Sequence, residues 1–284
     1  MGFQDILKPI SKEIKIVSAR LDRQVRQICT DQSFDAKCRK EIQATVQHLF
    51  NSPGKLLRPA LVLLAAKTVS EGSASESLID MAVAVEFLHS ASLVHDDIID
   101  ESEIRRGEPS LNNRYGNHLA VLVGDILYSQ FFTIVTSLKS EPTDRRISLL
   151  EVFSDVTRRM CIGEIYEERI RNNGVKPSLE DYLFLIESKT ASLLSMCCFS
   201  GALLNHAGEK HLKQITDWGL YLGLAFQIVD DYLDEDSIFD NKPVLLEKAG
   251  EFLSLAEEKM KPLRSTATSR CLNQIGRYII GRIK

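Results

Sequence analysis

Asp96, Asp97 and Asp100 lie in the stretch HDDIIDESEIRRG, and Asp230, Asp231 and Asp234 repeat the same D-D-x-x-D spacing in DDYLDED. Each set closes a long apolar run, LIDMAVAVEFLHSASLV before the first and WGLYLGLAFQIV before the second. On a helix turning about 100° per residue, the three aspartates of each set fall within one arc. Like charges at i,i+4 oppose helix formation by roughly 0.2–0.5 kcal/mol. At a helix C-terminus the macrodipole disfavours an anion by about 0.3–1 kcal/mol more. A bound cation removes both costs, and the repetition of the pattern favours that account over two solvated acidic helix ends. Donor sets made only of oxygen suit Mg²⁺ rather than zinc or copper. Mg²⁺ usually takes one or two carboxylates and completes its shell with water and substrate phosphate. The expectation is a diphosphate held with Mg²⁺ between the two clusters.

Phosphate also calls for cations, and these stand at helix borders. Lys55 and Arg58 lie in PGKLLRP, where Pro59 suits a first helical position. Arg105 and Arg106 follow the first cluster in a loop bounded by Gly107 and Pro109. Lys189 and Thr190 sit in ESKTAS within a helical pattern, and His89 precedes Asp96 by two helical turns on nearly the same face. Taken singly, each of these cations reads as surface charge and His89 as a core histidine.

The elements that must position these groups are helices. Apolar residues recur at helical spacing over 3–30, 36–50, 59–70, 76–100, 116–139, 143–171, 178–206, 209–234, 244–261 and 266–283. Between them stand breakers such as NSPG, EGSAS, RRGEPS, EPTD and NNGVKPS. Fifteen glycines and eight prolines in 284 residues fall well below the roughly 12% such residues usually supply. No stretch alternates with period two. The expected fold is all-α, a single domain over residues 1–284 in which about ten helices form a bundle around a central cavity.

A net charge of −4 argues against a general nucleic-acid binder. Cys29, Cys38, Cys161, Cys197, Cys198 and Cys271 form no C-x-x-C pair and read as buried thiols of a reducing cytoplasm. The N-terminal MGFQDILKPISKEIK carries no signal-peptide core, and Ile6 stands where a myristoylation motif wants Ser or Thr. No apolar run is expected to reach the 18 or so residues of a membrane span.

GKLLRP, EFLHSASLVHDDIIDESEIRRG, GEIYEE, ESKTAS and FQIVDDYLD resemble, in order, the motifs of the trans-isoprenyl diphosphate synthase family, from about residue 20 to residue 236. The resemblance implies that family's all-α isoprenoid synthase fold. It implies that Asp96, Asp97, Asp100, Asp230, Asp231 and Asp234 hold Mg²⁺ on an allylic diphosphate. Arg105, Lys189, Thr190 and Gln227 match residues that contact the allylic substrate, and Lys55, Arg58, His89 and Arg106 match the isopentenyl diphosphate site. Asp96, Asp97, Asp100, Lys189 and Asp230 are then the catalytic set. The implied reaction is ionisation of the allylic diphosphate followed by attack of the isopentenyl double bond on the cation, so no Ser–His–Asp or Cys–His nucleophile is required.

Ala91 and Ser92, one turn before Asp96, are small where the family's short-chain members carry bulky aromatics. That implies a medium- or long-chain product, octaprenyl diphosphate foremost, grown from farnesyl diphosphate. Phe131 and Phe132 are candidates for a tunnel floor, with ordinary core packing as the competing account. The family is commonly homodimeric and cytoplasmic. Two departures stand out. Beyond Asp236 the resemblance implies a segment missing near 237–246, so Lys242 is assigned to neither of the family's lysines there, and Glu167 replaces a common Gln. An inactive or regulatory synthase-like subunit therefore stays open. So do a metal-dependent phosphohydrolase built on His95–Asp96 and a di-iron bundle built on the E-x-x-H of Glu86 and His89.

Overall fold

A computed structural model describes residues 2–28, 35–51, 54–70, 74–174, 176–234, 237–263 and 266–282. Cys29 and Asp236 lie outside the described residues. Among the described residues the chain is all-α apart from one hairpin of two-residue strands, and its contacts divide it into two compact units. An N-terminal unit comprises Lys12–Ala60 and Ser75–Ser140; a C-terminal unit comprises Met1–Ser11, Leu61–Ala74 and Glu141–Lys284.

The N-terminal unit contains most of α1 (Ser11–Ile28), α2 (Ala36–Phe50), the start of α3 (Leu57–Val69), α4 (Glu76–Ile99), α5 (Leu111–Tyr115) and α6 (Asn117–Thr136). Between α4 and α5 lie β1 (Ile104–Arg105) and antiparallel β2 (Glu108–Pro109). Ser75 caps α4 by accepting from the Leu78 amide at 3.2 Å. From there α4 is apolar on nearly all sides and mostly buried, as a core helix must be. It packs closely on α6 at Gly124, where any Cβ would run into the His95 ring. Arg20 ties α1 to α4 through Glu76 at 2.5 Å and Asp80 at 2.6 Å.

The C-terminal unit holds the rest of α3, whose residues Ala60–Ala66 are wholly buried. It continues with α7 (Thr143–Asn173), α8 (Leu179–Ile186), a π-helical turn at Glu187–Ala191, α9 (Ser192–Leu204), α10 (Glu209–Leu233), α11 (Lys242–Met260) and α12 (Ala267–Ile280). The Asn205 amide donates to the carbonyls of Ala66 at 2.7 Å and Ser70 at 2.9 Å, satisfying the open end of α3. Helix α10 lies close against its neighbours because Gly219 faces Cys198 and Gly223 faces Ala191, whose Cα would be 2.5 Å from a Cβ at 223.

Several expectations need correction. The helix expected over 178–206 is interrupted by the π turn, which periodicity alone does not reveal. The first helix is preceded by a four-residue helical turn, Phe3–Ile6, and a 3₁₀ turn at Lys8–Ile10, where Pro9 removes a backbone donor. Helix α3 begins two residues before Pro59, which therefore falls within its first turn. Among the cysteines, Cys197, Cys198 and Cys271 are buried, whereas Cys38 is half-buried and Cys161 exposed. Among the described residues, three helical stretches are, by length and composition, apolar enough to cross a membrane: Glu76–Ile99, Asn117–Thr136 and Leu179–Leu204. Burial inside the fold covers 83% of the first window, 39% of the second and 61% of the third.

Candidate functional site

The first acidic set ends α4. Asp96 is half-buried, Asp97 is 2% exposed, and Asp100 is an exposed C-cap whose amide donates to the Asp96 carbonyl at 2.8 Å. All three aspartates act on one cation, Arg105. Asp97 turns inward to Arg105, whose Nε donates to its Oδ1 at 2.8 Å while an Nη donates to the same oxygen. That hydrogen bond, with the charges of Asp97, Asp96 and Asp100, raises Arg105 above the ordinary arginine value, although burial works against it.

The hairpin explains how two adjacent arginines reach different places. Its central residues, Arg106 and Gly107, both have positive φ, 54° and 80°. That is the conformation of a type I′ turn, which glycine enters without steric cost. Arg105 precedes the turn and is delivered to Asp97. Arg106 lies inside it, and its guanidinium packs against Gly54 so closely that a Cβ at 54 would be 2.6 Å from an Nη. Leu56, also at positive φ, bends the GKLLRP segment between exposed Lys55 and half-buried Arg58. Left-handed conformations outside glycine cost of order 1–3 kcal/mol and gather at functional sites. Here two of them lie in loops that carry cations.

A small cavity of about 40 Å³ opens among Leu56, Glu86, Ser90, Asp97, Arg105 and Arg106. Burial raises the Glu86 carboxyl, with the charges of Arg58 and Arg106 acting against the shift. Burial also holds His89 well below the usual histidine range, and Arg58, Arg106 and Arg105 push it the same way. Both effects favour the neutral imidazole, and the His89 Nδ1 has no hydrogen-bond partner among the described residues. Ala91 is buried, and the Ser92 hydroxyl donates to the His89 carbonyl at 2.9 Å. Phe131 is fully buried on α6, edge-on to Phe132 at 5.2 Å between ring centroids.

In the C-terminal unit, the π turn places Lys189 and Thr190 toward two different helices. Gly163 of α7 passes close to Ser188 and the Lys189 backbone, and Gly223 of α10 meets Ala191. Lys189 Nζ donates to Glu164 and Glu167 of α7, at 2.7 Å each. Burial alone would depress this ammonium. The Glu167 charge and both hydrogen bonds outweigh it and hold Lys189 well above the ordinary lysine value. Thr190 donates to Gln227 Oε1 at 2.8 Å, which turns the Gln227 amide so that Nε2 donates to Asp231 Oδ1 at 2.9 Å.

The second acidic set ends α10. Tyr182, fully buried on α8, donates its hydroxyl to Asp231 Oδ2 at 2.5 Å. Burial raises the Asp231 carboxyl to about 6, with Asp230 and Glu167 adding repulsion and the Tyr182 and Gln227 donors opposing it. Asp230 pairs with Arg282 at 2.5 Å, and exposed Asp234 caps the helix in an extended conformation. A second cavity of about 200 Å³ is lined by Asp231, Asp234, Ser237, Phe239, Asp240 and Lys242, so the short connection after the acidic set forms part of its wall. Sequence reading missed Tyr182, Glu164 and Arg282. Tyr182 lies seven residues before Lys189, two helical turns in an unbroken helix, and that spacing was the available signal.

Among the described residues no three His, Cys, Asp or Glu side chains converge as a ready metal site, which gives the E-x-x-H of Glu86 and His89 no partner set. The acidic ends do supply oxygen donors in i,i+4 pairs, Asp96 with Asp100 and Asp230 with Asp234. A hard ion that needs only one or two carboxylates fits such pairs.

Residues 39–244 match the family model for polyprenyl synthetase. The chain is 33% identical over 229 residues to a geranylgeranyl diphosphate synthase from Methanosarcina mazei, covering 81% of this chain and 68% of that protein. It is 38% identical over 188 residues to an octaprenyl diphosphate synthase from Haemophilus influenzae, covering 66% of this chain and 54% of that one. The chain thus spans between about half and two thirds of the length of these curated relatives. A decaprenyl diphosphate synthase from Rhodobacter capsulatus superposes with a TM-score of 0.85 at 22% identity, covering 100% of both chains, and shares the all-α isoprenoid synthase fold. With the family model covering both D-D-x-x-D sets and the segments that supply Lys55, Arg58, Arg105, Arg106, Lys189 and Gln227, the chain belongs to the polyprenyl synthetase family.

Proposed function

We propose that this chain is a trans-prenyltransferase that condenses isopentenyl diphosphate with an allylic diphosphate, using Mg²⁺ at its two acidic helix ends. The observation that carries the reading is the C-terminal site, where a permanently charged Lys189 and the Thr190–Gln227–Asp231 relay share one π turn and one helix end. Bound Mg²⁺ would supply neutralisation of the departing diphosphate. Lys189 adds positive charge where negative charge develops, the usual electrostatic strategy for such a step. In the N-terminal unit, Lys55, Arg58 and Arg106 supply the cations for the second diphosphate. Neutral His89 adds a hydrogen-bonding nitrogen without competing charge. The isopentenyl double bond attacks the allylic cation, and a proton then leaves to the released diphosphate.

A medium- or long-chain product grown from farnesyl diphosphate belongs to the same proposal, supported by small Ala91 and Ser92 on α4. Cytoplasmic location and a homodimer belong to it as well. Support for the homodimer comes from α6, on which Val121 is 41% and Leu122 58% exposed, an apolar face that a second copy would cover.

One experiment tests the proposal. Protein whose mass in solution has been measured is incubated with Mg²⁺, farnesyl diphosphate and isopentenyl diphosphate, beside an Asp96→Ala, Asp230→Ala double variant. Products are read by mass spectrometry. The expected result is a dimer making a ladder that ends at one long prenyl diphosphate, lost in the variant. Inorganic phosphate alone would identify a phosphohydrolase. Substrate binding that depends on Mg²⁺ but yields no product would identify a silent relative, the reading favoured by the short connection between Asp234 and Lys242.

A further inference from the structure

Asp231 is held on both oxygens. Gln227 donates to Oδ1 and Tyr182 to Oδ2, at 2.9 and 2.5 Å. Each carboxylate oxygen has a second lone pair, so both donors can stay while a cation binds. Neither donor is free to turn away. Thr190 fixes the Gln227 amide, and the Tyr182 ring stacks on Phe239, with centroids 4.9 Å apart and planes 20° apart. Phe239 comes from the short connection that leads to α11, so the segment that looked like a loss in the sequence packs directly behind the acidic set. Tyr182 is fully buried, and among the described residues Asp231 is its hydroxyl's partner. A buried hydroxyl placed in a core only for packing would be an unnecessary polar burden, since phenylalanine fills nearly the same volume.

We propose that Tyr182 is a positioning residue for the second acidic set: its buried hydroxyl, backed by Phe239, fixes the Asp231 carboxylate in the orientation that receives a divalent cation. The proposal rests on the prenyltransferase reading for the identity of that cation. Groups that hold a ligand in place from behind typically change metal affinity 10- to 100-fold when removed.

The test is a calorimetric titration of MgCl₂, with inorganic pyrophosphate present, into wild type, Tyr182→Phe and Asp231→Asn. Tyr166→Phe serves as a control, because that hydroxyl donates to Asp181 at 2.6 Å rather than to an acidic helix end. Tyr182→Phe is expected to weaken Mg²⁺ binding about 10- to 100-fold, with thermal midpoint and far-ultraviolet circular dichroism close to wild type. Tyr166→Phe is expected to bind as wild type does. In turnover, Tyr182→Phe should raise the Mg²⁺ concentration for half-maximal rate more than it lowers the rate at saturation. If Tyr182→Phe loses its fold, Phe239→Leu, which loosens the ring from outside, should give a smaller loss of affinity in the same direction. Wild-type affinity in Tyr182→Phe, or in Phe239→Leu where that variant stands in, with Asp231→Asn weakened, would overturn the proposal alone. A wild-type protein that binds no Mg²⁺ with pyrophosphate would overturn the prenyltransferase reading and the proposal together.

Discussion

The two D-D-x-x-D sets have the same spacing and the same place at a helix end, yet their middle aspartates are treated in opposite ways. Asp97 is buried against a guanidinium, whereas half-buried Asp231 is held by a phenol and an amide. The difference starts in the connection that leaves each helix. After Asp100 the chain makes a two-residue hairpin that returns Arg105 to the helix it has just left. After Asp234 it runs through a short connection whose contribution behind the site is Phe239, an uncharged ring. The first arrangement cancels a charge and the second orients one. The two sets thus differ in which aspartate meets an arginine, Asp97 in the first and Asp230, through Arg282, in the second, and the neighbours decide which.

Breaking the Arg105–Asp97 pair should have the largest effect. Arg105→Ala leaves Asp97 almost fully buried without its cation, and removing one member of a buried pair typically costs about 3–5 kcal/mol. The Arg105 side chain is 34% exposed, so solvent screens part of the interaction and about 3 kcal/mol is the expected loss in urea unfolding. Arg105→Ala, Asp97→Asn should recover much of it, because the amide needs no counter-charge. A single-variant loss under about 1 kcal/mol would place the pair with ordinary surface bridges and remove the contrast with Asp231.

His89 sharpens the same contrast through pH. Its folded value lies well below the ordinary 6.5, from burial first and then the charges of Arg58, Arg106 and Arg105. The unfolded chain therefore takes up a proton that the folded chain refuses. Stability from this group is complete above about pH 6.5 and is lost as pH falls below it, by at most ~1.4 kcal/mol per pH unit. His89→Gln should flatten the stability profile between about pH 5 and 6.5 relative to wild type. Identical slopes would show that the imidazole takes up protons equally in the folded and unfolded chain, and that the cation-rich side of the comparison is less positive than its side chains suggest.

How far the sequence carried depended on the range of the interaction. Apolar periodicity is local and repeated, so the helix boundaries of α4 and α10 lie within a residue or so of expectation. The Asp, Lys and Arg candidates were legible because like charges crowded at helix ends are costly without a partner. The hairpin was not, since two-residue strands leave no alternation to read, and RRGEPS looks like any loop. The π turn was hidden because one extra residue per turn hardly disturbs a periodic pattern. Tyr182 was hidden for another reason. An aromatic residue on an apolar helix face is ordinary core until the fold brings Asp231 within 2.5 Å of its hydroxyl.

The smallest effect concerns Lys189, the cation on the other side of the comparison. Its ammonium has three donors, and Glu164 and Glu167 take two of them at 2.7 Å. Two carboxylates around one ammonium leave the local charge negative. Arg171 offsets part of this by donating to Glu167 at 2.7 Å. On the proposed prenyltransferase reading, an incoming allylic diphosphate meets a lysine whose charge is already shared. Glu167→Gln keeps an acceptor for Lys189 and removes one negative charge. The expected result is a KM for the allylic diphosphate lowered about 2- to 5-fold, a difference of under ~1 kcal/mol in keeping with a half-buried pair, with little change in kcat. Glu167→Ala should lower KM less, because it also frees Lys189 to move. If Glu167→Gln instead raises KM, Glu167 is needed to aim the lysine. Lys189 would then be oriented by its partners as Asp231 is, and the C-terminal unit would use one strategy for both signs of charge.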